Sequence, residues 1–135
     1  MELKEYRIKH SLIIEEYQFI EFHLEGLFAL LQGKGNDFKE LAHRVENDAM
    51  GELIRKVKFL IKEYKYNEIL TKQDFNILDQ IRDDRNYYCH ENFLKTIFDN
   101  KNNPKSFTID EDLKKAKNAN EKLKQAFNII KDKLS

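Results

Sequence analysis

The sequence predicts an all-α fold, an up-and-down bundle of four to five helices in one domain over residues 1–135. Three observations lead there. One proline and four glycines among 135 residues are too few for a turn-rich β fold. Charged residues make up 36% and hydrophobic ones 41%, which gives solvated faces together with enough apolar surface for a core. Apolar residues also return at alternating steps of three and four along several segments, the period of a helix that buries one side. The length suits one domain with a real core and is short for two.

Taken in order, the seam Ile13, Tyr17, Ile20, Leu24, Leu27 and Leu31 predicts a first helix from Ser11 to about Gln32. Leu12, Phe19, Phe28 and Leu30 widen its apolar face, and Glu15, Glu16, Glu21 and Glu25 form an acidic, solvated remainder. Gly33 is placed as the residue past the helix end, with Asn36 or Asp37 as the next N-cap and an antiparallel neighbour after this short connection. Phe38, Leu41, Ala42, Val45 and Ala49 predict a weaker second helix. Gly51 suggests a break, kink or close approach near residues 47–52. Leu53, Ile54, Val57, Leu60, Ile61 and Tyr64 form a clear stripe that ends at the turn Tyr64–Asn67. Thr71 and Asp74 then form a capping box that opens a helix running to about Phe98. Asn100 to Pro104 is a polar loop. Asp110 starts a last helix with the seam Leu113, Ala116, Asn120, Leu123, Phe127, Ile130 and Leu134, and seven lysines against two acids from 113 to 135 make it the one basic surface.

Charge and cysteine content narrow the function classes. Lys plus Arg equals Asp plus Glu at 24 each, so no global positive field points to nucleic acid or an acidic membrane, and local charge has to decide. The single cysteine, Cys89, rules out an internal disulfide and suits a cytoplasmic setting. No stretch is long and apolar enough to span a bilayer, and Met1–His10 lacks the apolar centre of a signal peptide.

The stretch Arg82 to Phe93 is the candidate site. On a helical projection Phe75, Leu78, Ile81, Tyr88, Cys89 and Phe93 share one apolar face, and Arg85 falls inside it. A guanidinium that never discharges needs a partner, a cleft or a ligand there. A carboxylate from another helix, Glu25 or Glu46, is the structural alternative. Asn86 and His90, four apart, stand on the rim of the same face. An imidazole titrating near neutrality moves a proton, and a neighbouring fixed cation stabilises charge developing on phosphate oxygens. Arg82 adds positive charge or pairs with Asp79 or Asp83. Tyr87 points away from the core and is available to stack on a base, whereas Tyr88 and Cys89 point inward. No cofactor or metal is called for. His10, His23 and His43 lack ligand spacing, Asp79 and Asp83 lack the partners of an oxygen site, and no phosphate loop, Cys-x-x-Cys or His-Glu-x-x-His occurs.

Arg85-Asn86-Tyr87-Tyr88-Cys89-His90 resembles the R-x(4)-H signature of the HEPN superfamily, in which a polar residue, often Asn, follows the Arg. The resemblance implies a HEPN-like bundle and a symmetric homodimer that brings two motif copies to one cleft. It implies metal-independent RNA cleavage, by attack of a 2′-hydroxyl on the adjacent phosphate. His90 would be general acid or base, Arg85 the transition-state cation, Asn86 the support of both, and Arg82 and Tyr87 substrate contacts. A role as toxin of a toxin–antitoxin pair or as a phage-defence effector follows. The other implied role is a non-catalytic module that binds a partner such as a nucleotidyltransferase, or a nucleotide. In HEPN toxins regulated by nucleotidyltransferase antitoxins an H-x-Tyr pattern is frequent, and here Asn92 stands at that tyrosine's position.

Overall fold

The computed structural model describes residues 2–33, 48–89 and 105–135, and every regular element within them is helical. In chain order these are α1 (Leu3–Gln32), α2 (Met50–Glu63), α3 (Lys72–Tyr87) and α4 (Lys105–Leu134). Of the sequence predictions, the second helix at Phe38–Ala49 falls outside the described residues apart from its last two positions, Asp48 and Ala49, which are not helical. The N-cap at Asn36 or Asp37, the loop at 100–104, and the continuation of the motif helix to Phe98 also fall outside them.

The seam of α1 is buried as its spacing demands, and the helix starts at Leu3 rather than Ser11 because Tyr6, two turns before Ile13, extends that seam and is buried too. Leu12 and Phe19 do not widen the buried face. Each precedes a seam residue by one position, a turn of about 100°, and both are exposed, with Ile8 and Phe22, on the outer side. The acidic remainder is likewise not all solvated, since Glu16, Glu21 and Glu25 are half-buried. Gly33 ends α1 at φ −72°, outside the left-handed region. α2 buries Met50, Leu53, Ile54, Val57, Leu60 and Ile61.

The α2 terminus is a Schellman motif. Tyr66 N–H donates to the Ile61 carbonyl at 2.9 Å and Lys65 N–H to that of Lys62 at 3.2 Å, with Lys65 left-handed at φ 61°. α3 opens with the predicted capping box. Thr71 N–H donates to Asp74 Oδ2 at 2.8 Å and Asp74 N–H to Thr71 Oγ1 at 3.2 Å. α4 begins at Lys105, ahead of the expected Asp110, and Ile109 in this earlier stretch is buried. Its seam packs inward through Ile130, whereas Leu134 runs past the core and is exposed.

Contacts along the chain give the directions. Lys9 meets Asp110, Glu16 and His23 meet Asn120, and Gly26 faces Phe127, so α1 and α4 run parallel. α3 opposes α4, with Asp84 on Lys115 and Asp74 near Lys122. The short connection after α2 makes α2 and α3 an antiparallel hairpin, and Gly51 accordingly lies against Arg82. α1 packs on α2 and α4, and α3 packs on the same two, so one buried cluster forms inside the ring. No described helix is long and apolar enough to cross a membrane.

Candidate functional site

The last turns of α3 present the motif. Its buried side chains Phe75, Leu78 and Ile81 fix the helix, so the flanks that carry Arg82, Arg85 and Asn86 face the start of α2. Tyr88 is fully buried, and its hydroxyl donates to Asp112 Oδ2 on α4 at 2.5 Å. His10 on α1 donates from Nε2 to the Tyr88 carbonyl at 2.8 Å. Two helices, α1 and α4, therefore clamp the end of α3. The chain turns there into a π-helical stretch at Tyr88 and Cys89, a local widening often found at functional sites.

Arg85 meets a carboxylate from another helix, as the structural alternative anticipated, but the partner is Glu21. Nε of Arg85 lies 2.9 Å from Glu21 Oε1, and the two side chains are 30% and 23% exposed. The charge is compensated without being sealed from solvent, and this contact uses one of five guanidinium donors. Arg82 is flanked by Asp79 at 3.9 Å and Asp83 at 3.4 Å, both on its own helix. Asn86 is exposed. Tyr87 is half-buried and packs edge-on against Tyr88, with ring centres 5.8 Å apart, so only part of its ring faces outward. Cys89, expected in the core, is exposed because the chain leaves α geometry at this point and the α-helical projection no longer holds. Surrounding protein still desolvates its sulfur enough to push the thiol above its ordinary value, against the pull of Arg85 and with Glu21 reinforcing, so it is no ready thiolate. His90 lies outside the described residues.

Arg82, Arg85 and Asn86 line an open cleft of about 310 Å³ with Ala49, Met50, Gly51, Glu52 and Arg55 of the α2 start. Gly51 permits this approach, since a Cβ there would stand 3.1 Å from Arg82 Cδ. The α2 N-cap, Ala49, offers no side-chain acceptor, so the first-turn N–H groups add a positive end to the same wall. A more apolar groove of about 230 Å³ runs between α3 and α4. It is lined by Leu70, Ile77, Leu78, Ala119 and Leu123 with lysines at the rim, and without arginine or imidazole it lacks the means for proton transfer or bidentate anion binding. Among the described residues no group of three or more His, Cys, Asp or Glu side chains gathers as a metal site would require.

Compared with known proteins, the chain matches no family model, no curated protein and no solved structure. The site therefore stands on its own geometry. Arg55 and Glu52 are residues of it absent from the sequence expectations, which place Glu21 on a solvated face. A signal for Arg55 exists in the hairpin, because a short turn after α2 places the start of that helix beside the end of α3. Glu21 carries no comparable local signal, since α1 is remote in sequence from α3.

Proposed function

We propose that the chain is a metal-independent RNA endonuclease acting in the cytoplasm as the toxin of a toxin–antitoxin pair or as a phage-defence effector. The observation that carries this reading is the solvent-open cleft where Arg82, Arg85 and Asn86 face Arg55. Guanidiniums that stay charged at any working pH and present forked donors suit phosphate oxygens whose charge grows in the transition state. In the proposed reaction a base takes the proton of an RNA 2′-hydroxyl, and its oxygen attacks the adjacent phosphorus. The bond to the 5′-oxygen breaks, and that oxygen accepts a proton from an acid. The products are a 2′,3′-cyclic phosphate and a 5′-hydroxyl.

In this reading His90 is the proton carrier, Arg85 the transition-state cation, and Asn86 orients both, with Arg82 gripping the backbone and the open edge of Tyr87 meeting a base. Two proton transfers ask for two carriers, which a homodimer supplies. The exposed strip Ile8, Leu12, Phe19 and Phe22 on α1 is the surface that a second copy would cover.

Purified protein is expected to cut structured RNA in EDTA and leave cyclic-phosphate ends, with His90→Ala and Arg85→Ala each abolishing cleavage while circular dichroism keeps its helical signal. Equal cutting by all three proteins would reject the assignment. The pairing of Arg85 with Glu21 favours a second reading, in which the motif arginine is structural and the chain is a non-catalytic module for a nucleotidyltransferase-type partner or a nucleotide. In that case wild type binds without turnover.

A further inference from the structure

The cleft holds a cation that belongs to neither the motif nor its helix. Arg55 is on α2, its side chain is 70% exposed, and it lines the same cavity as Arg82 and Arg85 from the opposite side. It is ion-paired three residues back with Glu52, which also lines the cavity. Glu52 holds the guanidinium head at the cleft and at the same time occupies donors that an incoming anion would use. An exposed pair of this sort is weak enough to exchange its carboxylate for a phosphate. The cavity lining then carries three arginines against one glutamate, on two helices that Gly51 allows to come close.

We propose that Arg55 is a substrate-binding residue that grips a backbone phosphate neighbouring the one held at Arg85, with Glu52 as a placeholder that this phosphate displaces. The inference rests on the nucleic-acid reading of the site and adds the extent of the strand it takes. A single-stranded segment crosses from α3 to α2 and contributes more than one phosphate. Exposed Arg55 and half-buried Arg82, at the mouth, set affinity and reach.

The test uses a fluorescent 2′-O-methyl RNA dodecamer, which lacks the nucleophile and stays intact, titrated with full-length protein across a potassium chloride series and read by anisotropy. Arg55→Gln is expected to weaken binding roughly 3–10-fold and to lower the slope of log affinity against log salt by about 0.7, the value of one lost contact to a single strand. Lys124→Gln removes an exposed charge on α4 and leaves both unchanged. Glu52→Gln is expected to tighten binding several-fold, an outcome that a merely structural Arg55–Glu52 pair does not produce. An Arg55→Gln protein that behaves like Lys124→Gln, or a Glu52→Gln protein that binds no better than wild type, overturns the proposal. A wild-type protein that does not cleave unmodified RNA, with these binding differences intact, would instead sink the nuclease reading alone. A wild-type protein that does not bind the dodecamer ends both.

Discussion

Tyr17 and Tyr88 bring the same hydroxyl to the same depth, with opposite consequences. Tyr88 donates to Asp112, whereas the Tyr17 hydroxyl is buried with no hydrogen-bond partner among the described residues. A buried polar group without a partner costs roughly 1–3 kcal/mol. Tyr17→Phe is therefore expected to stabilise the fold by roughly 1 kcal/mol, and Tyr88→Phe, which takes a donor from a carboxylate only 6% exposed, to destabilise it by roughly 1–3 kcal/mol. Urea unfolding of the two variants decides this, and equal midpoints would refute it. Burial, with the nearby charges of Asp84 and Asp112, raises the Tyr17 phenol above its ordinary value of 10.0. The folded state then holds this proton more tightly than the unfolded one, so the contribution is complete below pH 10 and is lost as pH rises beyond it. Stability of the wild type should fall on going from about pH 9 to 11, and less steeply in Tyr17→Phe. At this scale the sequence located Arg85, Asn86 and Arg82 on one flank, because residue spacing on a single helix decides that. It could not supply Glu21 or Arg55, which arrive from other helices by packing.

Among the elements, local chemistry was legible and boundaries were not. Thr71 and Asp74 lie three apart and close their box whatever the rest of the fold does. By contrast, the starts of α1 and α4 depend on whether Tyr6 and Ile109 find cover, and that is a tertiary fact. The α2 terminus shows a local rule broken at some expense. Lys65 holds the left-handed position that glycine fills best, because the turn needs it to pass its N–H to Lys62 and the next one to Ile61. A side chain in that region costs about 1–2 kcal/mol, and the greater freedom of glycine in the unfolded chain returns part of it. Lys65→Gly is expected to raise stability by about 0.5–1 kcal/mol, a few degrees in a thermal melt for a chain of this size. An unchanged or lower melting temperature would show that the Lys65 side chain contributes something the backbone does not reveal. The turn sits at the far end of the α2–α3 hairpin from the cleft, so oligonucleotide binding is expected to stay as it is.

For the whole molecule, periodicity gave the inward face of each long helix but not the direction in which helices run past each other. Three and four spacings are the same in both directions. The parallel run of α1 beside α4 is instead written in polar residues, chiefly Asn120. The seam reading placed it inward among apolar neighbours, and the structure shows it 8% exposed. Its amide nitrogen donates to the Glu16 carbonyl at 2.9 Å and to Glu16 Oε2 at 3.0 Å, and its oxygen lies 2.9 Å from His23 Nδ1. These bonds exist at one relative position of two long helices, and a slip by one turn would leave a buried amide unpaired. Asn120→Ala is expected to lower stability by roughly 1–3 kcal/mol, or about 3–5 °C in melting temperature for each of these. Asn120→Leu restores apolar burial and should recover part of the loss, yet it removes what singles out the register. The distinguishing readout is the amide spectrum of α1 and α4, broadened or doubled in Asn120→Leu while helix content holds. A sharp, single set of resonances in that variant would mean that apolar packing alone fixes how α1 sits on α4, and so fixes where Glu21 meets Arg85.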